Sequence, residues 1–365
     1  MRRRILVFAT IVQSLLFLAH LFIYETWTSF WGPGTLKLQI MVGLLSVSFI
    51  STSILGFRYA HRVVRLLYTI SVVWVGLLSF FMLAAGLSWV VYGAVRLFGL
   101  SLQPRTIAVV LFGLAIVASL YGMVNAACTR VKRITIKLPN LPESWRGRTA
   151  ALVSDTHLGH VRNYGFIRRI IAMLTQLRPD VVFISGDLYD GMAADLDRLA
   201  EPWAELAAPF GAYFVAGNHD GFTGHAKHVE AVEQSGIHVL NNEKVNLDGL
   251  QIVGMHYRDS TNAGRFRSIL QQAALDRDRP SILLTHMPSG LDIAEEEGIS
   301  LQLSGHTHGG QLFPYTWVAS RVWGQFNYGL KRLGNLLVYT SSGTGTWGPP
   351  MRVGTNPEIV LIQFE

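Results

Sequence analysis

The sequence TAALVSDTHLGH, at residues 149–160, begins with a short apolar run and turns polar immediately after Val153. A short apolar run with polar residues on both sides is typical of a buried β-strand. Asp155 and His157 follow the run directly, with one residue between them. In an extended or turning segment this spacing lets both side chains point toward one place. The stretch therefore predicts a strand whose carboxyl end carries polar, reactive side chains.

The same pattern of an apolar run followed by potential metal ligands recurs along the second half of the chain. Apolar runs predict eight strands, at residues 149–154, 180–185, 212–216, 250–254, 281–285, 299–304, 336–341 and 358–364. Helical periodicity predicts helices at residues 164–177, 196–208, 225–235 and 266–275. Strands that alternate with helices indicate an α/β domain in which helices cover the sheets. Ligands in such folds gather beyond the carboxyl ends of the strands.

The residues at these strand ends form one set of oxygen and nitrogen donors. The candidate metal ligands are Asp155, His157, Asp187, Asn218, His286, His306 and His308. This set contains no thiolate, so it suits Mn, Fe, Zn or Mg better than a structural zinc site built from cysteines. Seven ligands are too many for one tetrahedral ion, and they suit two divalent metal ions that share a carboxylate. Glycines precede Asp187, Asn218 and His306, and they allow tight backbone paths at the strand exits.

Taken together, these motifs resemble the signature of the calcineurin-like metallophosphoesterases. The motifs are Asp155-x-His157, Gly186-Asp187-x-x-Asp190, Gly217-Asn218-His219-Asp220, His286 and Gly305-His306-x-His308. The resemblance covers about residues 145–365, and the run Gly305–Gln311 is similar to that of a membrane-attached bacterial branch. It implies a four-layer α/β/β/α sandwich with two metals at its top.

The resemblance also implies a role for each matching residue. One metal would be held by Asp155, His157 and His308, and the other by Asn218, His286 and His306. Asp187 would bridge the two metals. His219 would be catalytic and face the substrate rather than a metal, and Asp190 would orient it.

The implied reaction is hydrolysis of a phosphate ester or pyrophosphate bond. A hydroxide that bridges the metals would attack phosphorus, and His219 would stabilise the transition state or protonate the leaving oxygen. A lipid-linked phosphate ester is one candidate substrate. One alternative function is a small-nucleotide phosphodiesterase. Another is a non-catalytic membrane sensor or transport component with a relic phosphoesterase domain, although a relic is expected to have lost ligands.

The first third of the chain differs from the rest in having four long uncharged runs. They lie at residues 5–24, 38–57, 66–95 and 106–129. An apolar helix needs about 20 residues to cross the hydrocarbon core of a bilayer. The predicted transmembrane region covers residues 1–130, with helices at about 5–24, 36–57, 66–96 and 106–128. Residues 131–148 are predicted to be a linker and first strand, and residues 149–365 the phosphoesterase domain.

The distribution of charge separates the two halves and indicates an orientation. Residues 1–128 carry a net charge of +8, whereas residues 129–365 carry −1. The nearly neutral net charge of the second half argues against a nucleic-acid polymer as a partner. The predicted loop at residues 25–35 lacks Lys and Arg and contains Trp27 and Trp31, whereas the chain start and the loop after the second span are basic. This asymmetry predicts a multi-pass protein with its catalytic domain on the cytoplasmic side. The resemblance to the bacterial branch implies that the membrane is the bacterial inner membrane.

Three further features have a predicted environment. His20 is the one ionisable residue within the four runs, and we interpret it as a structural residue at the membrane interface. His160 is interpreted as an exposed loop residue, and the alternative is that it touches the substrate. The aromatic stretch at residues 312–330 is expected to pack beneath a loop, and the alternative is that it leans on the membrane interface.

Overall fold

The computed structural model describes residues 2–221 and 225–365, with all their side chains except those of residues 2–5 and 225. The chain forms two compact units. The first consists of Met1–Val124 with Gly348–Val353, and the second of Asn125–Trp347 with Gly354–Glu365. The domain boundaries at residues 130 and 148 stay a prediction.

Among the described residues, the first unit contains four long apolar helices, the fourth of which ends in the second unit. They are α1 (Arg2–Trp31), α2 (Leu36–Arg58), α3 (Arg62–Leu97) and α4 (Pro104–Ala127). Each is long and apolar enough to cross a membrane. The predicted transmembrane helical region is therefore confirmed.

The first helix is longer than the sequence prediction. Helix α1 continues past Tyr24 to Trp31, and the helix ends before Gly32-Pro33-Gly34. Trp27 and Trp31 were expected in a loop, but they lie one turn apart on α1 with their rings stacked 4.5 Å apart. The prediction ended the helix at Tyr24 because the charged Glu25 follows it, whereas the helix ends at the glycines and proline.

Polar side chains join the helices of the first unit. The Trp74 indole donates to Nε2 of His20 at 2.7 Å, and the hydroxyls of Thr52 and Ser71 lie 2.6 Å apart. His20 is buried, and its Nδ1 lies 2.7 Å from the carbonyl oxygen of Leu16. Its structural role is confirmed, but it lies between helices rather than at the end of one. Such pairs hold helices together where apolar surface alone gives no driving force.

The second unit contains twelve strands and seven helices among the described residues. The strands are β1 (Arg130–Ile136), β2 (Thr149–Val153), β3 (Val181–Ile184), β4 (Ala212–Phe214), β5 (His238–Val239), β6 (Glu243–Leu247), β7 (Leu250–Met255), β8 (Ser281–Thr285), β9 (Leu301–Ser304), β10 (Gly329–Leu333), β11 (Leu336–Thr340) and β12 (Glu358–Phe364). The helices are α5 (Tyr164–Leu177), α6 (Leu196–Ala200), α7 (His225–Gln234), α8 (Tyr257–Ser260), α9 (Ala263–Gln272), α10 (Leu291–Glu296) and α11 (Tyr315–Trp323). The predicted helix at 196–208 is shorter than expected. A 3₁₀ turn follows Ala200, because Pro202 has no N–H to continue the α-helical bonds.

The strands form two six-stranded sheets. One has the order β1-β12-β2-β3-β4-β5, and the other has the order β10-β11-β9-β8-β7-β6. Strands β2, β3 and β4 are parallel, and so are β7, β8, β9 and β11. Each parallel set therefore brings the carboxyl ends of its strands to one edge of its sheet.

Alternating side chains build three apolar cores from these two sheets. Leu152 of β2 and Leu284 of β8 belong to the core between the sheets. Val153 of β2 packs with α5 on one outer face, and Leu283 of β8 packs with α9 on the other. Two sheets with helices on both outer faces make the predicted four-layer α/β/β/α sandwich.

Candidate metal centre

The predicted ligands all lie immediately beyond strand ends, as the sequence indicated. Asp155 and His157 follow β2, and Asp187 follows β3. The amide of Asp155 donates to the carbonyl of Gly186 at 3.0 Å, and that of His157 donates to the carbonyl of Asp187 at 3.1 Å. The amide of Gly305 donates to the carbonyl of His286 at 2.9 Å, which joins the ends of β8 and β9. The ends of four strands are thus held in register beyond the sheets.

Three of the ligands form a first cluster around Asp155. Its Oδ1 lies 3.5 Å from Nε2 of His308 and 4.0 Å from Nε2 of His157. The two imidazole nitrogens are 3.1 Å apart, with their rings stacked. The Ser154 hydroxyl and the His306 amide both donate to the Asp155 carboxylate, so its orientation is fixed.

Three more ligands form a second cluster around His286. Its Nε2 lies 3.1 Å from Nδ1 of His306 and 3.1 Å from Oδ1 of Asn218. On the other side of the ring, Nδ1 lies 2.8 Å from the carbonyl oxygen of Ser185. That carbonyl fixes the ring so that Nε2 faces its neighbours.

Asp187 lies between the two clusters. Its Oδ2 is 3.3 Å from Nε2 of His286 and 3.8 Å from Nε2 of His157. Its Oδ1 accepts a hydrogen bond from the amide of His219 at 2.8 Å. One carboxylate oxygen therefore faces a residue from each cluster, as a shared ligand requires.

The backbone at these positions adopts a conformation that the sequence does not reveal. Five of the seven candidate ligands have a positive φ, between 48° and 70°: Asp155, His157, Asp187, His306 and His308. Residues other than glycine rarely adopt this left-handed conformation, which costs about 1–3 kcal/mol each. Strain concentrated in one group of side chains is typical of functional sites.

Two glycines let the strand ends approach closely. A Cβ on Gly217 would meet the Asp187 carboxylate, and one on Gly305 would meet the Ser154 hydroxyl and the Asp155 carboxylate. No residue with a side chain fits at these two points unless the ligands move. From the sequence we expected glycines here because they allow tight turns. The structure shows a second reason, since the backbone at these glycines lies against neighbouring side chains.

Burial and mutual charge shift the pKa values of the cluster in different directions. Burial tends to raise the pKa of Asp187, but His286 outweighs it and holds that pKa well below its usual range. Burial tends to lower the pKa of His286, yet the Asp187 carboxylate raises it to about 9. Burial and the neighbouring His286 lower the pKa of His306 to about 3, so its nitrogens are uncharged at neutral pH. Burial raises the pKa of Asp155.

The donor set fits divalent cations. Three groups of side chains bring ligand atoms within 4.8 Å of one another: Asp155, His157 and His308; His157, Asp187 and His219; and Asp187, His286 and His306. The imidazole nitrogens are 3.1 Å apart in each cluster, which is close to the spacing of neighbouring ligands on one ion with bonds of about 2.0–2.1 Å. The carboxylates of Asp155 and Asp187 are buried together, and a bound cation offsets the cost of removing such charges from water.

His219 lies beside the clusters, and its contact with Asp190 differs from the expectation. Its Nδ1 lies 3.0 Å from the backbone carbonyl oxygen of Asp190, not from the carboxylate. The Asp190 carboxylate accepts from the amide of Met192 at 2.9 Å, and burial raises its pKa to about 6. Asp190 thus approaches His219 through the main chain, because its carboxylate accepts from the amides of Met192 and His160 instead.

Two aromatic neighbours of the site were absent from the site prediction, and a third neighbour, Asp220, belongs to a predicted motif. Trp347 lies with its ring 5.7 Å from that of His219, and Trp323 lies 5.6 Å from His306. The Asp220 carboxylate accepts from the amides of Tyr189 and Gly217 at 3.0 Å and 2.8 Å. Asp220 stands within a ligand motif. Nothing in the sequence around Trp347 and Trp323 indicates that they lie near the site, because their proximity depends on how distant loops fold.

Two predicted environments are wrong. His160 is buried rather than exposed, because its loop lies against the Asp190 loop. The central part of the aromatic stretch, α11, does not pack beneath a loop, since none of its residues is buried, whereas Leu312 and Asn327 near the ends of the stretch are buried.

The fold and the site together define a class of proteins: two stacked sheets with a cluster of His, Asp and Asn side chains beyond the strand ends. Residues 149–310 match the family model of the calcineurin-like phosphoesterases. The chain is 36% identical over 266 residues to a zebrafish (Danio rerio) protein called a transmembrane protein with metallophosphoesterase domain. That match covers 67% of this chain and 60% of the relative.

Two bacterial relatives carry metallophosphoesterase names. One from Campylobacter jejuni is 30% identical, with 67% of this chain and 66% of the relative covered. One from Aquifex aeolicus is 31% identical, with 69% of this chain and 98% of the relative covered. The chain therefore belongs to the calcineurin-like metallophosphoesterase family. It spans less than two thirds of the zebrafish and Campylobacter relatives that it matches.

Proposed function

We propose that this protein is a membrane-anchored phosphoesterase with two divalent metal ions that hydrolyses a phosphate ester or pyrophosphate bond. The observation that carries the proposal is the position of Asp187, whose Oδ2 faces His286 of one cluster and His157 of the other. A carboxylate in that position suits two cations better than one. Two bound cations would supply an activated water and neutralise charge on the phosphoryl oxygens.

In this proposal the side chains divide into two groups. Asp155, His157 and His308 hold one cation, Asn218, His286 and His306 hold the other, and Asp187 is shared. The metals are among Mn, Fe, Zn and Mg, because the donor set has no thiolate. A relic domain is the weaker alternative, since all seven candidate ligands are present and meet in space.

His219 acts on the substrate rather than on a metal. The Asp190 carbonyl fixes its Nδ1 and so orients the ring. In this proposal the imidazole donates a proton to the leaving oxygen or a hydrogen bond to the transferred phosphoryl group. His219 also belongs to a cluster with His157 and Asp187 that is close enough to hold a cation. The assignment therefore needs a test that separates catalysis from metal binding.

Replacement of His219 by Ala separates the two roles. We expect hydrolysis of bis-p-nitrophenyl phosphate by the purified protein to fall about 10²–10⁴-fold, the range for loss of a general acid. The metal content per chain, measured by inductively coupled plasma mass spectrometry, should stay at the wild-type value. A His219→Ala protein that has lost its metal would show that His219 is a ligand. The enzymatic proposal would be refuted if the wild-type protein hydrolysed no bis-p-nitrophenyl phosphate, either as purified or after chelation followed by addition of Mn²⁺.

A further inference from the structure

The surface of the second unit has a helix that presents apolar side chains to solvent. Helix α11 has no buried residue, and Trp317 and Val322 are 66% and 68% exposed. Its sequence, YTWVASRVW, contains one charged residue, Arg321, and no acid. Exposed apolar patches with aromatic residues mark interaction sites. A short helix of this composition suits the interface of an anionic bilayer, where Trp and Tyr are enriched and Arg meets lipid phosphates.

Helix α11 lies next to the candidate metal centre. It begins four residues after Gln311 in the loop that carries His306 and His308, and its last residue, Trp323, lies 5.6 Å from His306. A Cβ on Gly310 would meet the backbone of Thr316, so the loop and the first turn are in close contact. Whatever α11 binds is therefore held next to the ligands.

Gln311 joins this helix to a second exposed aromatic residue. Its side chain accepts from the amide of Trp347 at 2.9 Å and donates to the carbonyl of Trp347 at 2.9 Å. Trp347 is 58% exposed, and its ring lies 5.7 Å from that of His219. Apolar side chains thus lie close to both His306 and His219.

The same loop is tied to the end of the fourth membrane-spanning helix. The side chain of Asn125, in the last turn of α4, donates to the carbonyl of Thr355 at 2.8 Å. The Thr355 hydroxyl in turn donates to the carbonyl of Gln311 at 3.1 Å. Only Cys128 and Thr129 separate α4 from β1. The loop that starts α11 therefore lies two hydrogen bonds from the last turn of a membrane helix.

We propose that α11 and Trp347 form a membrane-docking face that inserts into the surface of an anionic bilayer beside the metal centre. This proposal rests on the proposed function and narrows its substrate class to phosphoesters presented at a lipid surface. The occupant is the bilayer rather than a soluble protein, because Asn125, in the last turn of a helix long and apolar enough to span a membrane, is hydrogen-bonded to Thr355, which is hydrogen-bonded to this loop. Arg321 supplies the charge that suits anionic headgroups.

The test places a fluorescent probe on the face and measures its depth in lipid. Full-length protein with Cys128→Ser and Val322→Cys is labelled with an environment-sensitive fluorophore. It is reconstituted into vesicles of phosphatidylcholine with one third phosphatidylglycerol. The matched control carries Cys128→Ser and Gln272→Cys, at an exposed position of α9. We expect nitroxide-labelled lipids to quench the probe at residue 322 at least about threefold more than the probe at residue 272.

The outcomes separate the docking face from the activity. Equal quenching at both positions would overturn the proposal. A blue-shifted probe at residue 322 that nitroxide lipids do not quench would also overturn it, because a protein would then cover the face. The quenching requires no turnover, so failure of the proposed enzymatic function would leave it unchanged. A second label at Val318 guards against a local effect of one substitution.

A kinetic readout tests the substrate class. With Val318→Ser and Val322→Ser, turnover of phosphatidic acid in vesicles, divided by turnover of soluble bis-p-nitrophenyl phosphate, should fall at least about tenfold. Because both activities fall together when folding or metal binding is impaired, this ratio is insensitive to such losses. An unchanged ratio would refute the delivery of lipid substrates by this face.

Discussion

At the scale of residues, the site combines an arrangement that the sequence reveals with one that it hides. The candidate ligands could be chosen from the residue types after each apolar run, because the carboxyl ends of parallel strands meet at one edge. The left-handed backbone of Asp155, His157 and Asp187 could not be predicted, since nothing in the sequence marks a strained residue. The contact between His219 and the Asp190 carbonyl was hidden for a similar reason, because main-chain contacts leave no trace in residue type.

Close approach at the ends of β2 and β9 makes Gly305 a sensitive position. In Gly305→Ala the new Cβ would collide with Ser154 and the Asp155 carboxylate, so Asp155 must move away from His157 and His308. We expect metal affinity to fall about 10–100-fold, as it does when groups that orient ligands are disturbed. Isothermal titration with Mn²⁺ after chelation measures this loss. The control is Gly264→Ala, where the new Cβ makes ordinary contact with Asn262, and equal affinity in the two variants would contradict the argument.

At the scale of elements, the apolar pattern located the inner strands and missed the edges. All eight predicted strands occur in the structure within a few residues. Strands β5, β6 and β10 were not predicted, and β1 was predicted without bounds. These four are the edge strands of the two sheets. Edge strands such as β6, EKVNL, are polar because solvent covers one side and charge discourages edge-to-edge pairing, so a search for apolar runs passes over them.

The helices of the first unit are expected to depend on their polar contacts. Trp74→Phe removes the indole N–H that donates to His20 and leaves that buried imidazole without this donor. We expect the free energy of unfolding in mixed micelles to fall by about 1–2 kcal/mol. Trp27→Phe, at an exposed position of α1, is the control and should change it by less than about 0.5 kcal/mol. Equal losses in the two variants would show that the bond to His20 contributes nothing.

At the scale of the whole molecule, the distribution of Lys and Arg among the flanks and loops of the four spans predicts sidedness. It predicts that both ends of the transmembrane region face the cytoplasm, and we propose that the second unit lies there. In sealed inner-membrane vesicles with the cytoplasmic face outward, protease should degrade residues 131–365. In vesicles of the opposite orientation these residues should be protected. Degradation only in the second preparation would reverse the proposed topology.

The central claim is that side chains from Asp155 to His308 form one centre for two metal ions, with Asp187 shared between them. Elemental analysis of the purified protein after saturation with Mn²⁺ tests this most directly. The account predicts about two ions per chain in the wild type. It predicts one or none in Asp187→Asn, with hydrolysis lost at least about 10³-fold, because the amide cannot supply the shared negative charge. One ion per wild-type chain, or two ions retained in Asp187→Asn with full activity, would contradict it.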